Sequence, residues 1–524
     1  MKTNLLPWQS ACLHAWEANN FRGIVNVVTG AGKTFLAIAA IERILEEFGD
    51  KLTVKIIVPK TFLMYQWHSG IQDELGFPRE NIGFFSGTHK SQVNKQIMLY
   101  VINSARDVLA RHVVFDASHG NNVLLIADEC HHYGSAANAK IFGYTAHLPQ
   151  NASIYTLGLS ATPWCANYNE VLIPSLGKEI YNFGFLAALN AAIISKFALF
   201  NVAVPFAKIE RDAYDELSNQ ISFALHKLTE LCPALTHGRQ SSHSFFVALE
   251  NIIQDGESEA ADLAKTVLIL SMQRKEIVYK AKYRIDAVVE LVRRIPKSSK
   301  IIIFGERIET TIEINRRLNN MYPNEVGVYH SKVPKPLGIH TLRQFEDGDI
   351  RILVSCKTLD EGLNVAKTDV GIVVSSTGSR RQRVQRLGRV LRKKSDNNNA
   401  YFYYLYVGET TEEDELLKEI IRPEFDRLIN RINLTYNEES GVFENPQYTE
   451  WESSVVQDMQ IQGCDPEEII EFMKNADRLL LTEDWLMPED KCRNKLASVF
   501  EKHRRNYYIS ALLLIRARKM RIVK

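Results

Sequence analysis

At 524 residues the chain is too long for a single hydrophobic core, so about two to four domains are expected. Its composition, 45% hydrophobic and 24% charged, is that of a globular protein. No apolar run approaches the roughly 18 residues that span a bilayer, and no apolar segment near the N-terminus reads as a secretory signal. The cysteines, at 12, 130, 165, 232, 356, 464 and 492, form no CxxC pair. That pattern speaks against a zinc site or a disulfide framework and fits a reducing, cytoplasmic compartment. The net charge of +1 leaves affinity for polyanions to local runs. One comprises Arg380, Arg381, Arg383, Arg386, Arg389, Arg392, Lys393 and Lys394, and a second spans 502–524. Such stripes bind phosphates or simply solvate a helix face.

In chain order, the first 200 residues alternate short β-branched runs with helical patterns. The runs are IVNVV (24–28), VKIIVP (54–59), IMLYVI (97–102), VLLIAD (123–128) and IYTLGLS (154–160). This alternation predicts a doubly wound, largely parallel sheet, which places ligands at the carboxyl ends of its strands. Residues 208–283 carry apolar positions at helical spacing and read as a helical insertion. A second α/β pattern follows in KIIIFG (300–305), VGVYH (326–330), IRILVS (350–355), VGIVVSS (370–376) and AYFYYLYVG (400–408). After Thr410 the chain reads as helical and charged. The expected organisation is a first domain over 1–196, a second over 197–408 containing the insertion, and a helical C-terminal domain over 409–524.

The informative residues fall at strand ends. VVTGAGKT (27–34) lies between a strand and a helical run, the setting a phosphate-binding loop needs. Thr29, Gly30, Ala31 and Gly32 would let backbone amides approach phosphates at a helix N-terminus. Lys33 would neutralise the β and γ phosphates, and Thr34 would ligate Mg2+. Val27 stands where the eight-residue pattern has glycine. LLIADECHH (124–132) is an apolar strand ending in Asp128, placed to hold the metal through water, and Glu129, placed to orient or deprotonate an attacking water. His131 gains interest from these neighbours. SATP (160–163) offers a hydroxyl pair able to link a nucleotide site to another surface. In LDEGLNVAKTDVGIVVSSTGSRRQRVQRLGRVLR (359–392), Arg389 and Arg392 stand three apart on one helical face, suited to the spread charge of a transferring phosphoryl group.

Taken together these segments resemble a superfamily 2 helicase of the DExH type. LPWQ (6–9), GAGKT, VPKTFLMYQW (58–67), DECH, SATP, IIIFGERIE (301–309), DEGLN and QRLGRVLR stand in family order over roughly residues 5–408. Within the superfamily the chain is most similar to XPB-like DNA translocases and their prokaryotic relatives. The resemblance implies an α/β fold of two tandem RecA-like domains, ATP and Mg2+ as cofactors, and a cytoplasmic motor of prokaryotic or phage origin. It implies that Gln9 reads the adenine, that Gly362 and Asn364 lie near the nucleotide, and that His131 couples to Gln385. It makes Arg389 and Arg392 arginine fingers in a cleft that closes on ATP. Pro59, Lys60, Thr61, Gly305, Glu306 and Arg307 would contact a nucleic-acid backbone. The family usually has aspartate at Asn364, and the Arg-Glu-Asp element of XPB-like proteins is replaced by WCANYNE (164–170).

Nucleic acid, DNA in the first place, is the expected partner, with a nuclease, repair or defence subunit reached through the C-terminal domain. Two other functions remain open at this level. One is the ATPase subunit of a restriction complex whose nuclease is a separate protein. The other is a clamp that binds nucleic acid without moving. Glu129, Arg389 and Arg392 favour an active motor over the clamp.

Overall fold

Two parallel sheets organise the chain, as the strand spacing predicts. The computed structural model describes residues 5–87, 89–165, 167–236, 242–254, 256, 258–356, 368–375, 400–413 and 429–522. These divide into two compact units, one running to Lys196 and the other starting at Phe197.

The first sheet contains β1 (Arg22–Val27), β2 (Leu52–Val58), β3 (Ile82–Phe85), β4 (Ile97–Val101), β5 (Asn122–Asp128), β6 (Ile154–Ser160) and β7 (Glu179–Phe183), in the order β3-β4-β2-β5-β6-β1-β7. Every pairing is parallel. β5 is buried along Val123–Asp128, which explains its unbroken apolar reading, since a parallel strand is covered on both faces. Helix α1 (Pro7–Ala18) precedes β1, α2 (Lys33–Phe48) follows it, and α3 (Thr61–Leu75) follows β2. The alanine- and leucine-rich α2 buries Leu36 through Ile41 and Ile44. It is thereby fixed against the sheet from its first turn, where the phosphate-loop motif ends.

The second unit opens with β8 (Phe197–Val204). Three helices follow, Lys208–Leu231, Ser242–Gln254 and Glu259–Lys280. They share a core of their own, formed by Ile221, Ala224, Leu228, Leu249, Ala264 and Val267. This is the helical insertion that the apolar spacing predicts. Then come β9 (Ile301–Gly305), β10 (Val326–Tyr329), β11 (Ile352–Cys356), β12 (Val370–Val373), β13 (Ala400–Val407), β14 (Asn430–Asn437) and β15 (Val442–Glu444). The sheet order is β10-β11-β9-β12-β13-β8-β14-β15, parallel except for the β14–β15 hairpin. β8 was not visible as a strand beforehand because FALFNVAV, buried at seven of its eight positions, has neither alternation nor helical period.

The residues after 429 differ in one respect from an all-helical tail. Two strands come first, and β14 pairs in parallel with β8. Its alternation is plain in hindsight: Ile432, Leu434 and Tyr436 are buried between exposed or half-buried neighbours. Four helices then follow, Pro446–Ile461, Pro466–Leu479, Glu489–Ser498 and Lys502–Ile522. Their Tyr448, Phe472, Leu479, Leu514 and Ile515 belong to the same apolar core as Ile303, Leu405 and Leu434 of the sheet. No described helix is long and apolar enough to cross a membrane.

Candidate active site

The site is built at the carboxyl end of the first sheet. β1 stops at Val27, and the Val28 amide donates to the Phe183 carbonyl at 3.1 Å. The chain then turns through Gly30 (φ 89°) and Gly32 (φ 99°), left-handed positions that glycine adopts without a steric penalty. At Gly32 a Cβ would also lie 3.0 Å from Gln9 Nε2. Gly32 begins α2 with no side-chain cap, so the first-turn amides are left to an anion.

Gln9 is buried at the start of α1. Its Oε1 accepts from the Leu6 amide at 2.8 Å, and its Nε2 donates to the Gly32 carbonyl at 3.2 Å. The side chain expected to read adenine thus also braces the loop. Thr29 Oγ1 is buried without a hydrogen-bond partner among the described residues. Thr34 is exposed in the first turn of α2.

At the end of β5, Asp128 and Glu129 are both buried. Asp128 Oδ2 accepts from the Trp67 indole at 2.8 Å, and its Oδ1 accepts from the Glu129 amide at 3.0 Å. Burial, followed by the neighbouring Glu129 carboxylate, pushes the Asp128 carboxyl up to about 6. Glu129 has φ 48° and ψ 52°, a left-handed conformation that costs a non-glycine residue on the order of 1–3 kcal/mol and concentrates at functional sites. Its Oε1 lies 3.3 Å from Lys33 Nζ, and its Oε2 lies 3.6 Å from His131 Nδ1. His131 Nδ1 is in turn 2.9 Å from Ser160 Oγ, which accepts from the Thr162 amide at 3.1 Å. One chain of polar contacts therefore joins the phosphate loop, the end of β5 and the SATP segment after β6.

The structure brings together Gln9, Thr29 to Thr34, Asp128, Glu129 and His131. Gly362, Asn364, Gln385, Arg389 and Arg392 lie outside the described residues. Of the segments expected to contact nucleic acid, Lys60 and Thr61 open α3. Arg307 is committed to Glu276 of the insertion, with Nε at 2.7 Å, and stacks over Tyr279 at 4.8 Å. Two residues of the site were missed. Trp67 stands at the end of the quoted VPKTFLMYQW, but nothing in the sequence says which acceptor its indole finds. Tyr133 donates to the Asp128 carbonyl at 2.8 Å and to the Ile57 carbonyl at 3.1 Å, and reads as an ordinary core aromatic.

The residues present fit a nucleoside triphosphate with its metal. The two left-handed glycines leave a cradle that a side chain would fill, the helix amides are uncapped, and two carboxylates face a single lysine.

Comparison with known proteins agrees. Residues 2–164 match the family Type III restriction enzyme, res subunit, and residues 283–394 match the Helicase conserved C-terminal domain. The chain is 27% identical to the DNA 3'-5' translocase XPB2 of Sulfurisphaera tokodaii over 75% of its own length and 80% of that protein. It is 26% identical to the DNA 3'-5' helicase XPB of Kineococcus radiotolerans over 78% of its length and 61% of that protein. In fold it is similar to the DUF1998 helicase MrfA bound to DNA, at 14% identity and a TM-score of 0.52, covering 83% of this chain and 50% of that one. The chain is similar to the superfamily 2 helicases, ATP-hydrolysing motors with two tandem RecA-like sheets. Within that class it is similar to the XPB-like translocases.

Proposed function

We propose that this protein is a cytoplasmic DNA translocase of the XPB-like kind, in which ATP hydrolysis at the end of the first sheet drives movement along or unwinding of DNA. The observation that supports it best is the 3.3 Å approach of Lys33 to Glu129 beside Asp128, at the end of a parallel sheet whose loop is shaped for phosphates. Lys33 and the first amides of α2 hold the β and γ phosphates. Thr34 and Asp128 would hold Mg2+, which when bound would neutralise charge on the phosphate oxygens. Glu129 orients the attacking water and takes its proton as the water oxygen bonds to the γ phosphorus and the bridging P–O bond breaks. His131, Ser160 and Thr162 carry the state of the nucleotide toward the DNA side of the domain. Gln9 would meet the adenine, and Gly362 and Asn364 would serve the nucleotide as the family resemblance implies. Gln385, Arg389 and Arg392 would supply the transition-state contacts; Arg389→Ala should lower turnover by about 10³ or more and leave nucleotide affinity nearly intact.

ATPase assays with single-stranded, duplex and forked DNA and with RNA test this reading. DNA is expected to stimulate hydrolysis. Rising salt should remove the stimulation, with a log–log slope of about −0.7 per phosphate contact on single strands. Hydrolysis indifferent to DNA at every salt concentration overturns it.

The match of residues 2–164 to the restriction-subunit family favours a second reading, in which the same motor serves a partner nuclease. Affinity purification of the tagged chain from its source cells, followed by a DNA-cleavage assay of the eluate, decides between a motor working alone and one coupled to cutting.

A further inference from the structure

Trp67 is among the largest fully buried side chains of the protein. It lies on α3, on the face that also buries Leu63, Met64 and Ile71. An aliphatic residue would fill such a position as well as its neighbours do. What tryptophan adds is one N–H donor, and that donor is spent on Asp128 Oδ2 at 2.8 Å. The other oxygen, Oδ1, accepts from the Glu129 amide at 3.0 Å. The backbone carbonyl of the same residue accepts from Tyr133, which is itself anchored on Ile57 of β2. Two N–H groups therefore fix the plane of the carboxylate, and a hydroxyl fixes its peptide. A carboxylate offers about four lone-pair sites, so roughly half remain for a metal or its water.

We propose that Trp67 is a positioning residue that aims the Asp128 carboxylate at the Mg2+ of a bound nucleotide. The inference rests on the nucleotide site proposed above. It predicts that the indole N–H contributes to metal-dependent binding and to nothing else the nucleotide does. The hydrogen-bond partners of ligating carboxylates typically contribute about 10- to 100-fold in metal affinity.

The test measures binding of a fluorescent ADP by the full chain, in EDTA and across a Mg2+ titration. Two variants are compared with wild type: Trp67→Phe, and a chain carrying benzothienylalanine at position 67, which keeps the indole shape and lacks the N–H. Affinity in EDTA should match wild type for both, while the tightening on adding Mg2+ falls by about 10-fold or more. The half-saturating Mg2+ for hydrolysis should rise in parallel. Asp128→Asn should remove the tightening alone, and adding Trp67→Phe to it should change nothing further, because the indole acts through that carboxylate. Should Trp67→Phe fail to fold, the isosteric replacement carries the measurement. Equal loss of affinity with and without metal, or full Mg2+-dependent tightening without the N–H, overturns the proposal. Wild-type protein that binds ADP no tighter with Mg2+ than in EDTA also overturns this proposal, and wild-type protein that binds no ADP under either condition overturns the nucleotide site itself.

Discussion

Two adjacent carboxylate pairs follow buried strands of the two sheets, and they have opposite fates. Asp128 and Glu129 end β5; Glu412 and Glu413 come a few residues after β13. Each pair is largely withdrawn from water. In the first, Asp128 accepts, among the described residues, from the neutral Trp67 and Glu129 N–H groups, and Lys33, paired with Glu129, is also the cation that favours the charged form of Asp128. In the second, each acid has its own guanidinium. Glu412 Oε1 meets Arg274 at 2.8 Å and its Oε2 accepts from Tyr214 at 2.9 Å. Glu413 Oε2 accepts from Arg284 and from the Val407 amide. Arg284 sends its remaining N–H groups to the carbonyls of Val278, Val374 and Leu405. Tyr214 and Arg274 belong to the first and last helices of the insertion, so the second pair ties the insertion to the sheet. Carboxylates become a chemical site where local cations leave a deficit of charge for a ligand to meet. Where cations match acids, they become a joint.

Exchanging each acid for its amide separates these fates. Glu129→Gln should lower turnover by about 10² to 10⁴, the usual worth of a positioned general base, while ATP stays bound and the melting temperature does not fall. Lys33→Ala should instead weaken ATP binding. Steady-state hydrolysis and nucleotide binding on both variants check this, and wild-type turnover in Glu129→Gln removes the role given to that residue. Glu413→Gln should do the reverse. It leaves Arg284 buried without its counter-charge, a loss of about 3–5 kcal/mol, seen as a large drop in the urea midpoint of the second unit. Removing both partners, as Arg284→Met with Glu413→Met, should recover most of that loss. Nucleotide binding should survive in each of these second-unit variants that folds.

The first pair was legible and the second was not, for a physical reason. Asp128 and Glu129 sit in a fixed order between an apolar strand and CHH, and their partner Lys33 lies in a loop with its own pattern, so each end of the contact announces the other. The stretch after Thr410 reads only as helical and charged, because Arg274, Arg284 and Tyr214 lie far off in sequence and belong to no motif. The same holds within the fold. All ten strands expected from β-branched runs are present, whereas β3, β7, β8, β14 and β15 were not foreseen. They are short, like Val442–Glu444, or lack any alternation, like β8, or are embedded in charged sequence, like β14. Tertiary covering, not local pattern, makes them strands.

A third exchange turns on pH. Burial and the Glu129 charge raise the Asp128 carboxyl from 3.8 to about 6 in the folded protein. A raised carboxyl stabilises the fold fully below the unfolded value, and that contribution is lost as pH rises through the folded value. Near pH 8 the ionised, buried Asp128 therefore costs on the order of 3 kcal/mol. Asp128→Asn, which does not titrate, should gain stability over wild type as pH rises from about 4 to 6.5 and hold that gain above it. Melting curves without nucleotide across this range check the sign. A flat difference would mean that Asp128 is no more strained when charged than an ordinary surface acid.

The smallest effect expected is at the joint's edge, in Tyr214→Phe. The ring lies between Arg211 and Arg274, 5.8 and 5.3 Å from their guanidinium carbons, and 5.5 Å from Phe206. Phenylalanine keeps all of these contacts. What disappears is one hydroxyl, which donates to Glu412 Oε2 and accepts from the Thr411 amide at 3.0 Å. Glu412 keeps Arg274, so no charge is stranded, and the loss should be about 1 kcal/mol, that of an ordinary hydrogen bond. The effect should be local as well as small. Amide exchange should quicken at Thr411 and in the first turns of the 208–231 helix, with the nucleotide site and DNA-independent hydrolysis unchanged. A loss as large as that of Glu413→Gln would show that the hydroxyl, not the ion pairs, holds the insertion to the sheet, and counter-charge would no longer be what separates the two acid pairs.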